Sequence, residues 1–176
     1  SAIPLELWRR LISSRLEARN TLILANAVMG LSVIPLGFAP NPTSAAIAAA
    51  GLGLGLSGLI LMGDVIVADV IDEDEVKTGQ RREGMYFGMS KFIMKLSGSI
   101  VALWFGWIAP VYGYNSALDT QPDSVAMGFR VFMTVPVIVS SILAIIALLF
   151  YPLYGEKLTA VKEALAARKK SHPRPE

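Results

Sequence analysis

The 176-residue chain has no cysteine, a single histidine and little charge. Without cysteine there is no disulfide framework, no thiolate metal site and no thiol nucleophile. His172 stands beside Pro173 near the chain's end, with no ligand partner at a metal spacing, and reads as a solvated residue. Asp, Glu, Lys and Arg make up 17% of the residues, against roughly 25% in an ordinary soluble domain. Hydrophobic residues make up 53%. That balance is the composition of a membrane protein.

The charge is missing in long blocks. Thr21 to Gly63, Leu96 to Leu118 and Val131 to Gly155 contain no Asp, Glu, Lys, Arg or His. A membrane-spanning helix needs about 20 apolar residues, so the first block holds two. It divides at Pro40-Asn41-Pro42-Thr43, where each proline lacks a backbone donor and disfavours helix just before it. The expectation is an all-α, polytopic membrane protein with four transmembrane helices, at 21–39, 44–68, 84–109 and 129–153. Around them lie a cytoplasmic amphipathic segment at 1–20, a charged cytoplasmic loop at 69–83, an external loop at 110–128 and a cytoplasmic tail at 154–176. Pro110 should end the third span, and Pro136 should lie near the start of the fourth. In the tail, Glu156 to Lys170 reads as a short amphipathic helix and SHPRPE as disordered.

The bases fall on one side. Arg9, Arg10, Arg15 and Arg19 precede the first span, Lys77, Arg81 and Arg82 lie between the second and third, and Lys157, Lys162, Arg168, Lys169, Lys170 and Arg174 follow the fourth. On the other side only Arg130 flanks a span. Under the positive-inside rule both termini are cytoplasmic. The basic tail therefore reads as an orientation signal that also touches anionic lipid, and despite the net charge of +2 nucleic acid is not an expected partner.

Gly53-Leu54-Gly55-Leu56-Ser57-Gly58 has the letters of a dinucleotide fingerprint, but it lies inside a span, without the strand, helix and following acid that such a site needs. Gly51, Gly55 and Gly58 read instead as a stripe on which another helix packs closely. In the third span, Gly84, Gly88, Lys91, Lys95, Gly98, Ala102 and Gly106 recur at spacings of four and three and share one face. Gly88 and Gly98 are expected to serve packing, with this small and polar face turned inward. Lys95 lies about 16 Å along the helix from Gly84, and Lys91 about 10 Å, at 1.5 Å per residue. Lys91 is shallow enough to snorkel. An ammonium at the depth of Lys95 costs a few kcal/mol unless it has a partner or a function. Asp64, inside the end of the second span, matches the depth of Lys91 and forms a candidate intramembrane ion pair with it.

Asp69, Asp72, Glu73, Asp74 and Glu75 crowd the C-terminal end of the second span, where acids oppose the helix dipole. Something else must hold them, and cytoplasmic bases on adjoining helices are the natural partners. Asp69, Asp72, Glu75, Arg81, Arg82 and Glu83 are assigned to a cytoplasmic gate.

The stretch ADVIDEDEVKTGQRREGMYFGMSKFIMKL, Ala68 to Leu96, resembles the loop and following helix near the C-terminus of the glycoside-pentoside-hexuronide cation symporters, the melibiose-permease-like branch of the major facilitator superfamily. Their pattern is Ala-Asp, two aliphatics, Asp, an acidic cluster, Thr-Gly, a basic pair, Glu-Gly, then an aromatic and a lysine before Leu. The similarity continues through GYNSALDTQPDSVAMGFR and FYPLYGEKL, Gly113 to Arg130 and Phe150 to Leu158. PLELWRRLISSRLEARN resembles the segment before the family's ninth helix, departing at Glu17-Ala18-Arg19-Asn20 where a Gly-Lys-Arg is usual.

The resemblance implies helices nine to twelve of a twelve-helix transporter, excised from or continuous with a longer chain, in a plasma (inner) membrane. It implies alternating access, a coupling cation (Na+ or H+) bound mainly by the N-terminal half, and a central-site lysine on which Lys95 falls. The partners would be that N-terminal part, the lipid bilayer and a small solute, since relatives carry sugars, sugar acids and, in animals, lysolipids. No metal, cofactor or enzyme activity is expected, for the residues contain no His, Cys or Ser catalytic grouping. The competing reading is a free-standing four-helix scaffold or interaction protein of the membrane.

Overall fold

A computed structural model describes residues 17–39 and 41–171, with side chains to residue 168. Most of the first amphipathic segment, Pro40, His172 and the chain's last residues lie outside the described residues, as do Arg9, Arg10, Arg15 and Arg174.

Among the described residues every regular element is an α-helix: α1 (Ala18–Gly37), α2 (Pro42–Thr78), α3 (Glu83–Val111), α4 (Asp123–Leu149) and α5 (Gly155–Ser171). The first four are long and apolar enough to cross a membrane.

Asn41 starts α2, its side chain accepting from the Ser44 N–H at 2.9 Å, with Pro42 supplying a preset φ in the first turn. The helix then runs for 37 residues, or about 55 Å at 1.5 Å per residue, well beyond a hydrocarbon core of about 30 Å. Here the structure differs from the expected charged loop at 69–83: α2 continues through the whole acidic cluster to Thr78. Gly79 stops it in the left-handed conformation (φ 78°), donating its N–H to the Glu75 carbonyl. The acids oppose the dipole, yet the helix persists because each is met by a base, as described below.

Both prolines also fall elsewhere than expected. Pro110 sits inside the last turn of α3, which ends at Val111, and Pro136 stands at the middle of α4, because that helix starts at Asp123 and ends at Leu149. Asp123 in the first turn complements the helix dipole, so the helix begins before the apolar run does.

α1 is the packed centre, lying against α2 on one side and α4 on the other. Glycine makes both approaches close. A Cβ on Gly55 would come within 2.8 Å of the Met29 backbone and side chain, and one on Gly51 within 2.9 Å of the Ser32 side chain. Against α4, Gly37 faces Thr134 and Gly30 faces Ser141. Gly58 is buried as well. In contrast α3 stands off. Its C-terminal end is held to α4 by Phe105, whose ring centroid lies 5.3 Å from that of Phe132, with Tyr114 and Phe129 completing the cluster. Between α1, α2, α3 and α4 lies an apolar cavity of about 570 Å³, which α3 lines with Ile100, Val101 and Trp104.

α5 folds back on the C-terminal end of α2, burying Val161 and Leu165. The α4–α5 joint is pinned from the start of α1. Arg19 donates to the carbonyls of Leu148 and Leu149 at 2.7 and 2.9 Å and lies 4.1 Å above the Tyr154 ring. The Glu17 carboxylate accepts the Gly155 N–H at 3.0 Å. A cation thus caps one helix C-terminus and an anion the next N-terminus.

Candidate functional site

The C-terminal turns of α2 put acids on several faces, and the short 79–82 connection brings two arginines back across them. Arg81 is the hub: its Nη1 donates to Asp72 at 2.9 Å and to Glu75 at 2.8 Å, and its Nη2 to Glu83 at 2.7 Å. Arg82 holds Asp74 with two bonds, at 3.1 and 3.0 Å, the bidentate geometry that a planar guanidinium favours. Three carboxylates around one guanidinium, Glu83 foremost and then Glu75 and Asp72, hold Arg81 charged well above its ordinary range.

α5 supplies the remaining cations. Lys162 pairs with the buried Asp69 at 3.1 Å, Lys157 with Glu73 at 3.3 Å, and Lys77 with the same Glu73 at 2.8 Å from one turn away. Arg168 donates to the Glu75 carbonyl at 3.1 Å, and its guanidinium covers the Gly79 cap. Lys157 and Lys162 thus each meet an acid of α2 as well as lying on the basic tail. Tyr151, at the joint, buries its hydroxyl without a hydrogen bond among the described residues. Burial, with the charges of Asp69 and Glu73 adding, pushes its phenol up to about 12.

Deeper along the helices, Asp64 on α2 and Lys91 on α3 form the expected pair, Nζ to Oδ1, at 3.6 Å. Lys95 lies one turn further on, uncovered by any described residue. Its face of α3 does not turn inward among these helices. Gly84, Gly88, Gly98 and Gly106 have nothing within 4 Å of where a Cβ would stand, so Gly88 and Gly98 pack against nothing described, whereas Gly51, Gly55 and Gly58 are in the packed region. The reason is bulk: Trp104, nine residues beyond Lys95 and so about two and a half turns round the helix, takes the inner side together with Ile100 and Val101.

The arrangement is thus a charge-pinned end, four helices long and apolar enough to cross a membrane, and an exposed lysine-bearing face on α3. Among the described residues no group of His, Cys, Asp or Glu is placed to hold a metal ion. Residues 7–155 match the family described as MFS/sugar transport protein. The chain belongs to that family. Its members are transporters, a kind of protein distinct from enzymes. No curated protein and no solved structure matches the chain.

Several residues of this transporter chain join the site only through its geometry. Asp74 and Glu73 stand in the acidic cluster but outside the gate that the sequence suggests, although Arg82 and Lys157 engage them as fully as Arg81 engages Asp72. Lys157, Lys162 and Arg168 read in sequence as tail bases only. Their positions on one helix, in steps of five and six residues, carry no signal of which acid each meets.

Proposed function

We propose that the chain works as part of a cation-coupled (Na+ or H+) secondary transporter for sugars or related solutes, of the melibiose-permease-like kind, with helices beyond these four. The observation that carries this reading is the open face of α3, where Lys95 and four glycines find no cover among the described residues. A lysine at that depth is costly to leave in lipid. It suits a face that lines a solute path or meets an acid of another helix. Lys95 is the central-site residue in this proposal, and the coupling cation is bound chiefly outside this chain.

The transporter alternates access by rocking about a midplane site. The cytoplasmic cluster around Asp69, Asp72, Glu75, Arg81, Arg82 and Glu83 acts as a latch that favours one conformer. Its bonds fasten the ends of α2, α3 and α5 into one body that can move as a unit. Both termini face the cytoplasm of a plasma (inner) membrane, so an engineered cysteine at Asp119 is labelled from outside intact cells and one at Lys170 is not.

The deciding experiment is solute uptake under an imposed Na+ or proton gradient by the intact transporter carrying Lys95→Met. The substitution keeps an apolar stem and removes the charge. Cation-driven uptake is lost with near-normal expression, and Lys91→Met is much milder. Wild-type uptake by the Lys95→Met protein would remove Lys95 from the site.

A further inference from the structure

The ion pair between Asp64 and Lys91 is built differently from the cytoplasmic cluster. At 1.5 Å per residue, Asp64 lies about 21 Å along α2 from Thr78, and Lys91 about 12 Å along α3 from Glu83. Their neighbours in sequence are apolar: Val65, Ile66 and Val67 on α2, Phe92, Ile93 and Met94 on α3. The pair makes one long contact of 3.6 Å, and neither side chain has another hydrogen bond or ion pair among the described residues. The other charged groups of these two helices are accounted for or distant. Asp69 is held by Lys162, Asp72 and Glu83 by Arg81, and Lys95 stands a turn beyond Lys91. α1 from Thr21 to Gly37 and α4 from Val131 to Leu149 carry no charge at all. Tyr86 is the remaining titratable group on the cytoplasmic side of Lys91.

What a carboxylate so placed can bind is set by its surroundings. An alkali or divalent ion needs several oxygens, often from unwound backbone. Around Asp64 the helix is unbroken, so its carbonyls are committed to helical bonds, and no group of three or more His, Cys, Asp or Glu is placed to hold a metal ion among the described residues. A proton needs one oxygen. Resting on the transporter reading above, we propose that Asp64 is a proton-binding site for which the Lys91 ammonium is the built-in competitor. When a proton from water forms an O–H bond at the carboxylate, the ion pair is gone and α3 is released from α2 at this level. Lys91 stays an ammonium and extends along its four-carbon stem toward the headgroups. Loss of the proton restores the pair. The device has leverage because α3 is otherwise joined to its neighbours mainly at its two ends, by the arginine cluster and by the aromatic group.

The test uses the intact transporter in liposomes, with spin labels on cysteines placed at the exposed Ile60 of α2 and Met94 of α3. Without Na+, lowering the pH lengthens the wild-type inter-label distance. Lys91→Met, which leaves no ammonium for the carboxylate to pair with, holds the longer distance at every pH. Lys91→Arg keeps the wild-type response, and Asp64→Asn holds the longer distance at every pH. A pH response that survives in Asp64→Asn or in Lys91→Met overturns the proposal. So does a Na+ titration at fixed alkaline pH that reproduces the change. The distance needs no solute, so failure of uptake in every protein, wild type included, counts against the transporter reading alone.

Discussion

At the C-terminal end of α2 every acid from Asp69 to Glu75 meets a cation within this chain, whereas along the middle of α3 Lys95 and the glycines that share its face with Lys91 meet no described residue. The two regions handle charge in opposite ways. In the first, several acids oppose a helix dipole and are kept helical by ion pairs that tie α2 to its connection and to α5. In the second, a cation stands among apolar residues with its solvation unreplaced by any described group. Complete pairing marks a region whose work is to hold together. In the function proposed above, the open polar face is the one whose partner lies elsewhere.

The sharpest way to break the contrast is to disarm the paired region. Neutralising Arg81 and Arg82 together leaves Asp72, Asp74, Glu75 and Glu83 without their guanidinium partners. In the intact transporter, uptake slows about tenfold, the size of a conformational bias of about 1–2 kcal/mol, while solute binding stays near wild type. Loss of binding in a folded protein would assign these arginines to the solute site and end the latch reading.

The same contrast separates what the sequence can reveal from what it cannot. The spans are legible because a charge-free run of bilayer length is what a lipid core demands and what a water-soluble fold seldom contains. The Asp64–Lys91 pair follows from matched depths. The extension of α2 to Thr78 is not legible. Local rules place acids at a helix N-terminus, and the cations that overturn them come from the returning 79–82 connection and from α5 as well as from Lys77. Glycine is ambiguous for a related reason. Gly51 and Gly98 look alike in sequence, but whether a neighbour approaches is decided by the partner helix: Ser32 meets the first, and no described residue meets the second. Gly30 and Gly37, unremarkable in sequence, are close approaches to α4.

Glycine substitutions sharpen the comparison. Gly55→Ala drives a methyl into Met29 and costs about 1–3 kcal/mol, as overpacking does. Gly98→Ala meets open space and gains up to about 1 kcal/mol of helix propensity. Thermal unfolding of the purified protein in detergent measures both. If Gly98→Ala is destabilising by as much as Gly55→Ala, another helix covers the open face, and the contrast between the regions is one of partner rather than of exposure.

A smaller effect belongs to the joint below α4. Arg19→Lys keeps the charge but gives up the planar fork that reaches two carbonyls and lies over Tyr154. The expected loss is about 1 kcal/mol of stability, the scale of a charged hydrogen bond or helix-terminus contact. An unchanged melting temperature would mean that the ammonium serves both carbonyls equally well.

The smallest effect tests whether the paired region is complete. Tyr151 buries its hydroxyl beside Asp69 and Glu73 with no hydrogen bond among the described residues. Removing an unsatisfied polar atom should be neutral or slightly favourable, so Tyr151→Phe leaves stability near pH 7 unchanged or raised. The pH dependence has a definite sign. The folded phenol is pushed from its ordinary 10.0 up to about 12, so the neutral form's contribution is whole below pH 10 and is lost as the pH rises toward 12. Between those values the unfolded chain of the wild type ionises first and is favoured, a loss that phenylalanine cannot suffer. Unfolding midpoints at pH 7 and pH 11 should therefore diverge in favour of Tyr151→Phe at the higher pH. A clear destabilisation of Tyr151→Phe at pH 7 would show that the hydroxyl has a partner after all, and that the cluster of paired charges extends one residue further than its ion pairs.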